Sequence, residues 1–119
     1  MATQISNPLV INLTPLNSGV VAAARTYTAT RQLRLYDLKV QISVDPGLGT
    51  YTCTVSNGAT TCLSLRTATN PDEGDIFRLG QNAADTCDDA QMVVAAGGTC
   101  VFAYTDNDNV QATLYAFPL

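Results

Sequence analysis

Residues 50–65, TYTCTVSNGATTCLSL, contain the spacing with the clearest chemical meaning in this chain. Two stretches of alternating residues flank Asn57-Gly58, and each stretch carries one cysteine, Cys53 or Cys62. A two-residue turn at Asn57-Gly58 sets Cys53 opposite Cys62 in a non-hydrogen-bonded pair, where side chains come close enough for a disulfide. A three-residue loop with a bulge shifts the register and removes this match. The spacing favours a Cys53–Cys62 disulfide, with buried free thiols as the alternative.

The other two cysteines are Cys87, in a predicted loop over 81–90, and Cys100, in a predicted strand. A Cys87–Cys100 disulfide would require a tertiary contact between those segments. An all-cysteine zinc site is a weaker alternative, because the chain has neither a C-x-x-C pair nor a histidine. We therefore expect no metal site and no cofactor.

Disulfides are typical of exported proteins, yet the N-terminal sequence MATQISNPLVINLTPLNSG lacks the basic and apolar regions of an export signal. Coat components of a virus released by lysis satisfy both observations, because they are made in a cytosol and end outside it.

Residues for catalysis are scarce. Without histidine, Ser-His, Cys-His and His-metal chemistry are excluded. Lys39 falls on the polar side of a predicted strand, which favours a solvated lysine over a nucleophile. Acidic residues gather at 72–75, 85–89 and 106–108, where turn formation explains them and calcium binding is the alternative, although EF-hand spacing is missing. We predict no catalytic residues and no enzymatic activity.

Composition limits the class of protein further. The chain has 119 residues, enough for one domain, of which 46% are hydrophobic and 13% charged. A net charge of −4 with a single lysine disfavours nucleic-acid binding, which needs clustered cations. No apolar run approaches the roughly 20 residues that cross a bilayer. We expect neither nucleic acid nor membrane as a partner.

Alternating residues predict short strands along most of the chain. In YDLKVQISV, the residues from Tyr36 to Val44 alternate, so that Tyr36 is predicted to share a buried face with Leu38 and Val40. Leu33 and Leu35 have the opposite parity, which indicates a bulge near Leu35 or two successive strands. Turn-forming residues separate about eight strands after residue 19. The prediction is an all-β, single-domain jelly roll or β-sandwich over residues 19–119.

The first 18 residues are predicted to form an extended N-terminal arm. Pro8 and Pro15 bracket LVINLT, which suits an edge or an arm because proline removes ladder donors. Two alternatives remain open: an edge strand of the chain's own sandwich, or an arm that adds to a neighbouring subunit or capsid. In the second alternative, the contact residues are Leu9, Val10, Ile11 and Leu13.

From about Ala24 to the C-terminus, the chain resembles the small jelly-roll capsid decoration, or cement, proteins of tailed bacteriophages. The segments that carry the resemblance are TYTATRQLRLYDLKVQIS, GTYTCTVSNGATT and MVVAAGGTCVFAYTDNDNVQATLYAF. The resemblance implies a non-enzymatic virion protein that stabilises the capsid shell. Its expected partners are the major capsid protein and itself, as a homotrimer, and its expected location is the capsid surface after synthesis in the host cytoplasm.

The cysteines depart from the usual pattern of that family. Two other functions stay open from the sequence: a phage fibre or receptor-binding jelly roll that recognises a host glycan, and a filament subunit joined by donor strands.

Overall fold

The computed structural model describes residues 9–12, 24–43, 48–81, 85–104 and 110–119. These residues form strands and one short 3-10 helix, Asp89–Gln91. The strands are β1 (Leu9–Asn12), β2 (Ala24–Thr28), β3 (Leu33–Ile42), β4 (Thr52–Asn57), β5 (Thr60–Arg66), β6 (Ile76–Arg78), β7 (Thr86–Cys87), β8 (Val93–Val94), β9 (Thr99–Tyr104) and β10 (Val110–Pro118).

Two antiparallel sheets share one core. Sheet A has the order β1-β10-β3-β6, and β8 also pairs with β3. Because β10 occupies one edge of β3 along its length, β6 and β8 share the other edge. Sheet B has the order β2-β9-β4-β5-β7. The prediction of a single all-β sandwich domain is confirmed.

The longest ladder joins β3 to β10 and contains one irregularity. Tyr115 pairs with Asp37, whereas the next residue, Ala116, pairs with Leu35, so that Tyr36 is an extra residue on β3. The bulge predicted near Leu35 is therefore confirmed, within a single strand. The prediction that Tyr36 faces the core is wrong, because the bulge turns its side chain outward.

Both sheets contribute apolar side chains to the core at alternate positions of their strands. Successive residues of a strand point to opposite faces, and the inward positions of β3, β4, β9 and β10 are apolar. Fully buried members include Leu38, Val40 and Leu114 from sheet A, and Val55, Leu65 and Phe102 from sheet B.

β1 belongs to this sandwich. Leu9–Asn12 pair antiparallel with β10, from Ala116 back to Thr113. The side chain of Ile11 is only 5% exposed and lies in the core, while Leu9 packs against the core edge. The edge-strand alternative therefore holds for residues 9–12, and the rest of the predicted 1–18 arm lies outside the described residues.

We expect the side chains of Ile11 and Val10 to contribute very differently to stability. Ile11→Ala should lower the free energy of unfolding by about 2–5 kcal/mol, because it leaves a cavity in the core. Val10→Ala, at an exposed position of the same strand, should change it by about 0.5 kcal/mol or less. Urea unfolding of both variants measures the difference. Equal and small losses would show that β1 does not pack on the core.

Candidate functional site

The side chains of sheet A that point away from sheet B form a surface that we call the outer face. Its centre is the β3–β10 ladder, where four cross-strand pairs place side chains outward. β1 adds Val10 beside Tyr115, and β6 adds Arg78 beside Lys39. The four pairs are Gln111 with Gln41, Thr113 with Lys39, Tyr115 with Asp37, and Phe117 with Arg34.

Three aromatic side chains, Tyr36, Tyr115 and Phe117, meet on this face, and we call them the aromatic cluster. The rings of Tyr36 and Phe117 stack with their centroids 4.4 Å apart and their planes inclined by 24°. The centroid of Tyr115 lies 6.0 Å from that of Tyr36. Tyr36 and Phe117 are each 39% exposed, so the cluster offers apolar surface to solvent. Such surface on a strand face is a feature that ligands and partner proteins use.

An ion pair borders the aromatic cluster. Nη1 of Arg78 lies 3.1 Å from Oδ2 of Asp37, and the guanidinium carbon lies 5.9 Å from the centroid of the Tyr115 ring. The other oxygen of Asp37 accepts a hydrogen bond from the backbone N–H of Leu38 at 2.8 Å. A half-exposed ion pair of this kind contributes little to stability, but it fixes the position of both charges beside the aromatic rings.

A polar cleft of about 240 Å³ opens at the far end of the same ladder. The loop before β6 forms one wall, since Gly74 donates a backbone hydrogen bond to Ile42 and Ile42 donates one to Asp75, at 2.8 and 2.9 Å. The lining residues are Gln41, Ile42, Ser43, Glu73, Gly74 and Gln111. Two of these residues, Gln41 and Gln111, are cross-strand partners that contribute amide groups to the lining.

The carboxylates of the described acidic loops stabilise turns by accepting hydrogen bonds from backbone N–H groups. The backbone N–H of Asp72 donates to the Asp75 carboxylate at 2.9 Å, and Asp85 accepts from the backbones of Arg66 and Gly80. Asp88 caps the 3-10 helix by accepting from the N–H of Ala90. Within the described residues, no group of three or more acidic or cysteine side chains is arranged to hold a metal ion. The acidic loop at 106–108 lies outside them.

The predicted contact residues of the arm differ in their exposure to solvent. Leu9 and Ile11 face the chain's own core, so the prediction that they contact another subunit is wrong for this arrangement of β1. Val10 remains a candidate, because its side chain is 52% exposed. Leu13 lies outside the described residues.

The turn between β4 and β5 differs from the predicted one. Asn57 pairs with Thr60, so the two turn residues are Gly58 and Ala59. Gly58 adopts the left-handed conformation, with φ at +62°. The amide of Asn57 is used elsewhere, because its nitrogen donates to the carbonyls of Gln91 and Val93 at 3.1 Å each. These bonds join the end of β4 to the segment that leads into β8.

The changed turn and a bulge remove the geometry for a Cys53–Cys62 disulfide. Val55 pairs with Leu63, which leaves Cys62 as an extra residue of β5, and Cys53 pairs with Leu65. The thiol of Cys62 donates instead to the carbonyl of Val55 at 3.2 Å. The predicted register is therefore wrong, and both cysteines are free thiols.

Cys87 and Cys100 are also free thiols, and their positions explain why. Cys87 lies in β7 at one edge of sheet B, and Cys100 lies in β9, with β4 and β5 between them. Three strand spacings amount to about 14 Å. A disulfide needs α-carbons within about 7 Å. The predicted Cys87–Cys100 pairing is therefore contradicted.

Burial governs the chemistry of the thiols. It raises the pKa of Cys53, with the charge of Asp85 adding to the effect, and it raises the pKa of Cys62. It raises the pKa of Cys100 to about 11. Cys87 is exposed, and its pKa is raised by partial desolvation and by the carboxylate of Asp89. None of the four is an activated nucleophile, because activation requires a lowered thiol pKa.

Comparison with protein-family models, with characterised proteins and with solved structures finds no match to this chain. In the part of the chain that the structure describes, no helix has the length and apolar character that crossing a membrane requires.

We expect one thiol to react in the folded protein. Cys87 is exposed and the other three cysteines are buried, so a maleimide should label Cys87 first, and faster as pH rises through its raised pKa. Mass spectrometry of the labelled peptides identifies the site. A Cys87→Ser variant serves as the control and should lose the fast reaction. Fast labelling that persists in Cys87→Ser would contradict the burial of the other thiols.

Alkaline pH should weaken the fold through Cys100. Below the ordinary thiol pKa of 9.0, the Cys100 thiol is neutral in the folded and the unfolded protein. The stability that the protonated thiol contributes to the fold is then fully present. Above that pH the unfolded chain loses the proton while the folded chain keeps it, so the free energy of unfolding falls between pH 9 and pH 11. Urea unfolding across this range should show a shallower decline for Cys100→Ala. Identical slopes for variant and wild type would refute this assignment.

Proposed function

We propose that this protein is a non-enzymatic structural protein of a virion, which binds the assembled capsid shell and stabilises it. The observation that carries the proposal is the edge of β1, which has no charged residue and pairs only with β10 in the part of the chain that the structure describes. The resemblance of the sequence to capsid decoration proteins supplies the class of partner. The proposal includes the major capsid protein as partner and the outer surface of the capsid as location.

We further propose that the sandwich is a jelly roll, on the basis of its connections. Omitting the short strands β6 and β7, sheet A reads β1-β10-β3-β8 and sheet B reads β2-β9-β4-β5. Each connection passes from one sheet to the other except the β4–β5 hairpin. This arrangement of eight strands corresponds to the two nested Greek keys of a jelly roll. Jelly rolls are a frequent architecture of capsid proteins.

Edge strands differ in their protection against pairing. Natural sheets place charges on edge strands, since unpaired backbone groups recruit other strands. Among the described edges, β2 carries Arg25, β6 carries Arg78 and β7 is flanked by Asp85 and Asp88. The two-residue β8 is uncharged, but the amide of Asn57 occupies its Val93 carbonyl. β1, with the sequence LVIN, carries no charge. An unprotected edge of this kind is expected where the functional assembly covers it.

The proposed mechanism is strand addition at β1. Among the described residues β1 pairs only with β10, so its other side can offer backbone donors and acceptors to a strand of a capsid subunit. Val10 adds exposed apolar area next to those groups. Weak single contacts are sufficient when several copies act together on one shell. A closed trimer, as the resemblance implies, would present several such edges with fixed spacing.

A charge at position 10 tests this mechanism. Val10→Lys should leave the fold intact, because the side chain is exposed, and should weaken binding to undecorated capsid shells at least tenfold, because a charged edge resists strand pairing. Co-sedimentation with shells measures binding, and analytical ultracentrifugation measures the oligomer.

Two variants serve as controls in that experiment. Val10→Thr keeps the branched shape without a charge, and Thr26→Lys places the same charge on the exposed surface of β2. Both should bind shells like the wild type. Undiminished binding by Val10→Lys would reject the β1 edge as the contact, and absence of binding by the wild type would reject the proposed function.

A further inference from the structure

We propose that the outer face of sheet A binds a neutral oligosaccharide, which lies along the β3–β10 ladder from the polar cleft to the aromatic cluster. This site is separate in kind from the edge of β1: it uses side chains on a sheet face, and its ligand is a carbohydrate.

The polar cleft provides the hydrogen-bonding groups that hydroxyl-rich ligands need. The amides of Gln41 and Gln111 each combine donors and an acceptor, the hydroxyl of Ser43 does both, and the carboxylate of Glu73 accepts. Neighbouring hydroxyls of a sugar also donate and accept, so they can satisfy both functions of one amide. The cleft is small and open to solvent, with a volume of about 240 Å³, which is the scale of one sugar ring.

At the polar cleft, charge selects a neutral ligand over an acidic one. The one ionisable side chain among the cleft residues is Glu73, so the cleft repels a carboxylated or sulfated sugar. Further along the face, the charge of Arg78 is paired with Asp37, and Lys39 and Arg34 bring side-chain donors that can bond to sugar hydroxyls. A neutral sugar forms hydrogen bonds with these groups without having to displace an ion pair.

The aromatic cluster provides the apolar half of the site. Sugar rings expose C–H groups on their faces, and these pack on aromatic side chains, which offer large rigid areas at low entropic cost. The stack of Tyr36 on Phe117 holds both rings in place before a ligand arrives. From Gln111 to Phe117, six residue-to-residue steps along β10 span roughly 20 Å, so the ligand is a chain of several sugars.

A glycan array that carries neutral and acidic oligosaccharides identifies ligands, and titration calorimetry with the best neutral oligosaccharide then measures affinity. We expect a neutral ligand to bind. The double variant Gln41→Ala/Gln111→Ala should weaken its binding roughly tenfold or more, through lost hydrogen bonds. Tyr36→Ala should weaken it by a similar factor, through lost stacking area.

Gln32→Ala is the matched control, because it makes the same chemical change at an exposed position beyond the opposite end of β3. It should bind like the wild type, and thermal unfolding should show that every variant is folded. The proposal would be overturned if the array showed no ligand or only acidic ligands. It would also be overturned if a neutral ligand bound the double glutamine variant and Tyr36→Ala as tightly as the wild type.

Discussion

The β3–β10 ladder, with its single extra residue at Tyr36, is the constraint on which the rest of sheet A depends. Leu33 and Leu35 have one parity along the strand, and Leu38 and Val40 have the other. A regular strand would expose one of these two pairs, because one residue of shift moves every side chain to the opposite face. The bulge at Tyr36 lets both pairs enter the core. The same extra residue brings Tyr36 onto the outer face, so core packing and the aromatic cluster have one cause.

The β4–β5 ladder of sheet B also contains a bulge, at Cys62. Because Val55 faces Leu63 and Ser56 faces Thr61, Cys62 has no partner of its own in the ladder, and both Cys62 and Leu63 turn inward. The inserted thiol bonds to the backbone of β4 rather than to another sulfur. A cysteine suits this place because it is small, apolar and a weak donor. The cysteines therefore act as core residues, which explains why they fit a sandwich without belonging to a disulfide pattern.

Sequence periodicity predicts much of this fold, because alternation reports which positions are buried. It locates the long strands and even the bulge in β3. It misses the turn, because the preference of Asn-Gly for a turn is outweighed by the bonds of Asn57 to Gln91 and Val93. It also misses the candidate site. The polar cleft joins 41–43, 73–74 and 111, and such distant segments meet only through strand order, which the pattern of one strand does not encode. The bulge predicted near Leu35 is the one signal in the sequence that Tyr36 could face outward.

Ile11 and Val10, on opposite faces of β1, determine how this edge strand is held. A four-residue edge strand has a short ladder, and alone it would exchange easily with other strands. Ile11 anchors it by inserting into the core between the sheets, while Val10 stays on the surface. In the proposed function, β1 is therefore already in strand conformation when a partner strand pairs with it, and strand addition does not require the sandwich to open. Preorganisation of this kind reduces the entropic cost of association. Because Ile11 anchors β1 in its own core and β1 carries no charge, β1 is better suited to receiving a partner strand, as proposed, than to being donated to another subunit.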